Sequence, residues 1–178
     1  LLGEGDGGRC WVDYDTEGNI LLAQGTIAFW VQPRGWTGTD TGFRFFFMIR
    51  DPERAKFYIY RFLSGNLLTL AGNGVEGEWG ACSAPTDDWE DREWRHIAVT
   101  WESRVVTLYV NGVKASQSNV PKDKYFRSLP TVFSVGQAQN WDPKDAVRAQ
   151  TAIDEFVICA RALSAEEILA EMNRKELP

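Results

Sequence analysis

The sequence lacks features that mark several classes of protein. It has one histidine, His96, so a serine- or cysteine-based catalytic triad would have to use that residue. No apolar run approaches the roughly 18 residues that a membrane-spanning helix needs. The net charge is −6, which disfavours a nucleic-acid partner because phosphate binding needs clustered Lys and Arg. The sequence therefore favours neither a membrane span nor nucleic-acid binding.

The sequence has only three cysteines, and its first residues do not resemble a signal peptide. Cys10, Cys82 and Cys159 lie far from one another without metal-type spacing, so we expect three separate, partly buried thiols. The chain opens LLGEGDGG, which has neither the basic start nor the apolar stretch of a signal peptide. This abrupt start suggests a segment excised from a longer protein, so the missing leader says little about export.

What the chain does contain is many short strand-like segments separated by polar turns. Its 178 residues suit a single domain, 1–178, with a sizeable core. Trp94 to Trp101 alternates, Arg104 to Val110 is rich in β-branched and aromatic residues, and Asn111-Gly112 between apolar runs is a strong hairpin signal. Further strands are predicted at 9–15, 25–32, 43–50, 56–63, 66–71, 79–84, 131–136 and 152–160.

One short helix is predicted near the C-terminus. Ser164 and Glu167 form a capping box, and Ile168, Leu169 and Met172 make an apolar stripe at helical spacing. We expect this helix to lie on the edge of a sandwich. Many strands and one late helix indicate an all-β antiparallel sandwich, which periodicity alone does not distinguish from an immunoglobulin-like one.

Three motifs carry a family resemblance. WRHIAVTW followed by VTLYVNGV, in residues 94–113, resembles the central motif of laminin-G-like domains of the concanavalin A-like lectin/glucanase superfamily. GTIAFWVQP, from Gly25, resembles that family's early strand, and AIDEFVICARALSAEEI, from Ala152, resembles its closing strand and helix. The resemblance implies a two-sheet jelly roll. It says little about function, since the fold hosts lectins, hydrolases and interaction modules.

The resemblance also bears on catalysis and metal binding. Laminarinase-type hydrolases of the superfamily carry E-x-D-x-x-E or E-x-D-x-E on one strand, and the nearest run, Glu90, Asp91 and Glu93, has the wrong order and reads as loop, so we expect no enzyme. Many relatives hold a structural Ca²⁺ between the N-terminal segment and the closing strand. Asp154 is the position implied as a ligand, with Glu4 and Asp6 as the second arm.

Tryptophan is the candidate for ligand contact. Trp30, Trp94 and Trp101 fall in predicted strands and are expected in the core. The tryptophans that fall in or beside polar loops pair a large apolar ring with polar neighbours, as a carbohydrate site requires. The predicted ligand-binding residues are Trp36, Trp79, Trp89, Trp141 and Asp142. The alternative is that these rings fold back onto the sandwich.

The sequence therefore predicts a non-catalytic, lectin-like module of a secreted or cell-surface protein, with a glycan or polysaccharide as its partner. The alternative is a protein-interaction or structural domain that binds another extracellular protein. Loop tryptophan exposure separates the two, because a glycan-binding module should expose at least two of these rings and a spacer should bury them all.

Overall fold

The computed structural model describes residues 11–51, 55–72, 80–125, 128–136 and 150–174. These residues form eleven strands and one helix. Their bounds are β1 Trp11–Asp15, β2 Gln24–Pro33, β3 Arg44–Asp51, β4 Ala55–Arg61, β5 Asn66–Gly72, β6 Gly80–Pro85, β7 Arg95–Glu102, β8 Val105–Val110, β9 Val113–Asn119, β10 Val132–Gly136, β11 Thr151–Cys159 and α1 Ala165–Met172.

The strands form two antiparallel sheets, which confirms the predicted jelly-roll sandwich. One sheet has six strands in the order β1-β10-β3-β4-β5-β6, and the other has five in the order β11-β2-β7-β8-β9. Strands β7, β8 and β9 form a meander, and the predicted hairpin turn between β8 and β9 holds Asn111 and Gly112 at φ values of 48° and 75°. No helix within the described ranges is long and apolar enough to cross a membrane.

The main core lies between the two sheets. Ile27, Phe29 and Val31 alternate along β2 and are fully buried on its inner face. Phe29 contacts Phe46 of the opposite sheet, with 6.3 Å between ring centroids. Trp101 of β7 meets Phe57 of β4 edge-on at 5.2 Å. The inner faces of both sheets therefore carry the large rings that hold the layers together.

The helix lies on the outer face of the five-stranded sheet, which corrects the predicted position at the sandwich edge. Ile168 is fully buried there against Ala28, Ala98 and Tyr109, on three adjacent strands. The two alanines leave room for the helix, so it packs over the middle of the sheet. Ser164 caps it as predicted, accepting a hydrogen bond from the Glu167 amide.

Strand β11 is interrupted by a bulge in the middle of its pairing with β2. Asp154 pairs with Trp30, and the next matched pair is Val157 with Ala28, so the register shifts between them. Glu155 lies inside the bulge with a φ of 48°, in the left-handed region. The bulge therefore re-aims the side chains of β11 beside Trp30.

Candidate functional site

Two of the predicted loop tryptophans are core residues. Trp36 is 2% exposed and Trp89 is 1% exposed, and their ring centroids are 6.2 Å apart. The guanidinium groups of Arg44 and Arg61 lie 5.4 and 5.5 Å from the centre of the Trp36 ring. Trp36 Nε1 donates to the Gln150 carbonyl at 2.8 Å. Neither indole offers a free face to a sugar, which corrects the prediction that these two rings contact ligand.

The physical reason is that an indole gains more from burial than from exposure in a loop. Burying a ring of this size removes about 200 Å² from water, which is worth about 5 kcal/mol. The loop around Trp36 folds inward because its carbonyls find a buried partner in Arg61, which donates to the Gly38 carbonyl at 2.6 Å. The loop therefore closes one end of the sandwich.

The other predicted site residues lie outside the described part of the chain, with one exception. Asp154 is described and is treated below. The predictions for the remaining positions stay predictions; these are Glu4, Asp6, Trp79, Trp141 and Asp142.

A pocket with two tryptophans opens on the outer face of the five-stranded sheet. Its volume is about 320 Å³, and its lining consists of Trp30, Trp94, Asp154 and Glu155. Trp30 points outward because the alternation of β2 places Phe29 and its apolar neighbours inward. Trp94 precedes β7 and is 37% exposed. The strand pairing places Asp154 opposite Trp30, so one carboxylate and one indole share a face.

The acidic side of this pocket is set by the bulge. Asp154 is exposed, and its Oδ1 accepts the backbone N–H of Glu155 at 2.9 Å, which fixes the carboxylate. Glu155 is half-buried. Its left-handed backbone costs a non-glycine residue roughly 1 to 2 kcal/mol. Both residues line the pocket, and within the described ranges neither carboxylate forms an ion pair.

Calcium at Asp154 is not supported by the described residues alone. Ca²⁺ takes six to eight oxygen ligands. The described ranges contain no group of three or more His, Cys, Asp or Glu side chains placed to hold a metal. Asp154 also has one oxygen engaged by the Glu155 amide. The predicted site therefore depends on Glu4 and Asp6 and stays a prediction.

His96 lies under Trp30 and links the pocket to the helix. The two rings meet edge-on with centroids 5.2 Å apart. The imidazole Nε2 lies 3.0 Å from Glu171 Oε2 of α1, and the buried Nδ1 has no hydrogen-bond partner among the described residues. Burial lowers the pKa of His96, an effect partly offset by the hydrogen bond to Glu171 and by the charges of Glu171 and Glu155. His96 is therefore a buried framework residue beneath the pocket.

Sequence reasoning missed this site because it assigned Trp30 and Trp94 to the core. Trp101 is core as expected, at 1% exposure, whereas Trp94 is exposed and Trp30 is half-buried. The alternation of side chains along β2 could have revealed the outward direction of Trp30, since Trp30 alternates with three inward-facing residues of that strand. Glu155 had no such signal, because a bulge cannot be read from alternation.

Two other concavities lie along β1. One of about 670 Å³ is lined by Asp15, Thr16, Glu17, Ile20, Leu129, Pro130 and Thr131. The other, of about 370 Å³, is lined by Asp13, Tyr14, Asp15, Asn19 and Val132. The larger has no aromatic lining, and the smaller has a single tyrosine stacked on Phe133 at 5.4 Å. The pocket of Trp30 and Trp94 has the fuller set of groups for a sugar ring.

Comparisons with known proteins agree on the fold. A laminin G family model, described as the concanavalin A-like lectin/glucanases superfamily, matches residues 6–169. No curated protein matches the chain.

Similar solved structures include receptor-binding domains of botulinum neurotoxins. The serotype D binding domain has a TM-score of 0.71 at 15% identity, covering 92% of this chain and 40% of that one. A type C structure, titled for the dependence of cell entry on two ganglioside molecules, gives 0.73 at 15%, covering 97% and 41%. A type DC binding domain in complex with SialylT gives 0.70 at 16%, covering 97% and 41%. At these identities the likeness concerns the fold alone, and the chain spans about two fifths of those proteins.

Proposed function

The chain belongs to the concanavalin A-like lectin/glucanase superfamily, and from this premise we propose that it is a non-catalytic carbohydrate-binding module of a secreted or cell-surface protein. The glycan binds in the pocket formed by Trp30, Trp94, Asp154 and Glu155. The observation that carries the proposal is the pairing of two partly exposed indoles with two carboxylates on one outer sheet face.

The chemistry of these groups matches that of a sugar ring. A pyranose has an apolar C–H face that packs on an indole, and its hydroxyl edge donates hydrogen bonds. The carboxylates of Asp154 and Glu155 are acceptors for those hydroxyls, and a hydrogen bond to a charged group contributes about 1.5 to 3 kcal/mol. The 320 Å³ volume is at the small end for a ligand pocket, which suits one or two sugar units of a longer chain.

The arrangement favours binding over hydrolysis. A glycosidase needs two carboxyl groups on opposite sides of the scissile bond, roughly 5 to 9 Å apart. Asp154 and Glu155 are adjacent in sequence, whereas the hydrolases of the superfamily space their acids two or three positions apart along one strand. The one histidine, His96, is fully buried beneath Trp30 and does not line the pocket.

A second function is favoured by one observation. The burial of Trp36 and Trp89 is what a protein-interaction or structural domain would show. In that case the pocket would receive a side chain of another extracellular protein. The neurotoxin neighbours do not decide between the two, because the gangliosides of the type C structure and the SialylT of the type DC structure belong to chains more than twice as long as this one.

A glycan array with the native domain and two variants tests the proposal. We expect saturable binding that falls roughly tenfold in Trp94→Ala, because one stacking surface is lost. Tyr14→Ala is the matched control, since Tyr14 is 48% exposed on the other sheet and lies outside the pocket. Circular dichroism checks that both variants fold.

Two results would change the proposal. Absence of binding to every glycan class would contradict it and favour the protein-interaction function. Binding that survives Trp94→Ala but disappears on chelation would show that a calcium ion held by Asp154, and not stacking on Trp94, binds the glycan.

A further inference from the structure

We infer that the pocket selects glycans that carry free amino groups over neutral glycans and rejects acidic ones. This inference rests on the proposed function and names the ligand class of the same site. It starts from the charges that line the pocket, where both polar residues among the described part of the lining, Asp154 and Glu155, are acids.

The basic groups described nearest to the pocket already have partners or are neutral. Arg95, which follows Trp94 in sequence, is already paired with Glu93 at 2.7 Å and with Asp88 at 3.5 Å. His96 beneath the pocket hydrogen-bonds to Glu171, and burial lowers its pKa, which favours the neutral imidazole. A ligand therefore meets two carboxylates that lack a cationic partner within the described ranges.

The backbone holds these carboxylates in place. Asp154 is fixed through its Oδ1 by the Glu155 amide, which leaves its second oxygen for a ligand. Glu155 occupies a left-handed conformation at the bulge, where glycine would be relaxed. A non-glycine residue held in this conformation is a candidate functional residue, so the Glu155 carboxylate is the group to test.

The indoles complete a site for a cation. An ammonium group is attracted to the face of a tryptophan ring as well as to a carboxylate. Trp30 and Trp94 supply the rings, and Asp154 and Glu155 supply the charge, so a protonated amino sugar uses all four described lining residues. A sialic acid, uronate or sulfate would instead bring a negative charge against two carboxylates and be repelled.

Matched oligosaccharides test this selection. Glucosamine oligomers and N-acetylglucosamine oligomers of equal length differ mainly in charge at about pH 6, below the usual pKa of an amino group. By titration calorimetry at low salt, we expect the native domain to bind the glucosamine oligomer at least tenfold more tightly. The preference should shrink as salt is added, because an exposed charge pair is screened.

Substitutions at Glu155 separate the effect of its negative charge on binding from the effect of its size. Glu155→Gln should reduce the amine preference to within about threefold, while N-acetylglucosamine binding falls less, because the amide oxygen still accepts a sugar hydroxyl. Glu155→Gly should reduce the preference equally, weaken the binding of both oligomers through the lost acceptor, and fold at least as stably as the native domain, because it relieves the left-handed residue. Glu102→Gln, an exposed acid at the far end of β7, is the control that should change neither affinity.

Each alternative result has a separate meaning. Equal binding of the two oligomers, lost in Trp94→Ala, would overturn the amine selection and leave the proposed glycan site intact. Preference for a sialylated or sulfated glycan would overturn the selection as well. Failure of the native domain to bind either oligomer or any other glycan would overturn both the selection and the proposed function.

Discussion

Replacing Arg61 should destabilise the domain more than any surface change, because this buried side chain donates hydrogen bonds to the backbone carbonyls of the loop that contains Gly38, Asp40 and Gly42. Arg61 is fully buried at the end of β4. Its guanidinium donates to the carbonyls of Gly38 at 2.6 Å, Gly42 at 3.2 Å and Asp40, and to Thr86 Oγ1 at 3.3 Å. No other residue type offers five donors in one plane.

The magnitude follows from the acceptors that would lose their donor. Arg61→Met removes the partner of three carbonyls, each of which costs about 1 to 3 kcal/mol if it stays buried and unpaired. Water entering from the loop side will satisfy some of them, so we expect a loss of about 4 kcal/mol. Arg61→Lys keeps the charge and reaches fewer acceptors, for an expected loss of about 2 kcal/mol.

Urea unfolding and thermal unfolding, both followed by circular dichroism, measure the two losses. For a domain of this size, melting temperature should fall by roughly 8 to 16 °C in Arg61→Met and 4 to 8 °C in Arg61→Lys. Arg92→Met is the control, because the Arg92 side chain is 71% exposed and its change should stay within about 0.5 kcal/mol. If Arg61→Lys is as stable as the native domain, the multiple donors of Arg61 do not hold the loop.

Two further predictions concern the buried histidine and a glycine. The folded state lowers the pKa of His96, so the unfolded chain binds the proton first as pH falls below about 6.5, and stability should decline by up to about 1.4 kcal/mol per pH unit there. His96→Gln should flatten this slope in urea titrations from pH 7 to 5, and equal slopes would contradict the argument. Gly38→Ala should cost about 2 kcal/mol or more, because its Cβ would lie 1.5 Å from the Thr86 carbonyl oxygen. Gly35→Asn, at a φ of 82° with open space around it, should cost far less in the same assay, and equal losses would show that the backbone contact is not responsible.

The strands and the helix could be predicted from local patterns. Alternation along β2 and β7, the Asn111-Gly112 turn and the Ser164 capping box each depend on residues within a few positions of one another. Local rules of this kind identify elements well because the period of a strand and the cap of a helix are short-range properties. The order of strands in each sheet needed the family resemblance.

The site could not be predicted in the same way. Trp36 looked like a surface residue because its neighbours in sequence are polar, yet its neighbours in space are Trp89, Arg44 and Arg61. Glu155 looked like any residue of an alternating strand, and the bulge that re-aims it depends on pairing with β2. Both outcomes are set by contacts between distant parts of the chain, which a sequence window does not contain.

The pairing of β2 with β11 has a consequence for biosynthesis. Thr26 pairs with Cys159 and Pro33 with Thr151, so one neighbour of the largely buried strand β2 is synthesised near the end of the described chain. At roughly 5 to 20 residues per second, a ribosome needs roughly 6 to 25 seconds to make the roughly 120 residues between the two strands. During that interval the edge of β2 has no native partner, and a nascent chain must be shielded from other strands until translation has delivered the last one.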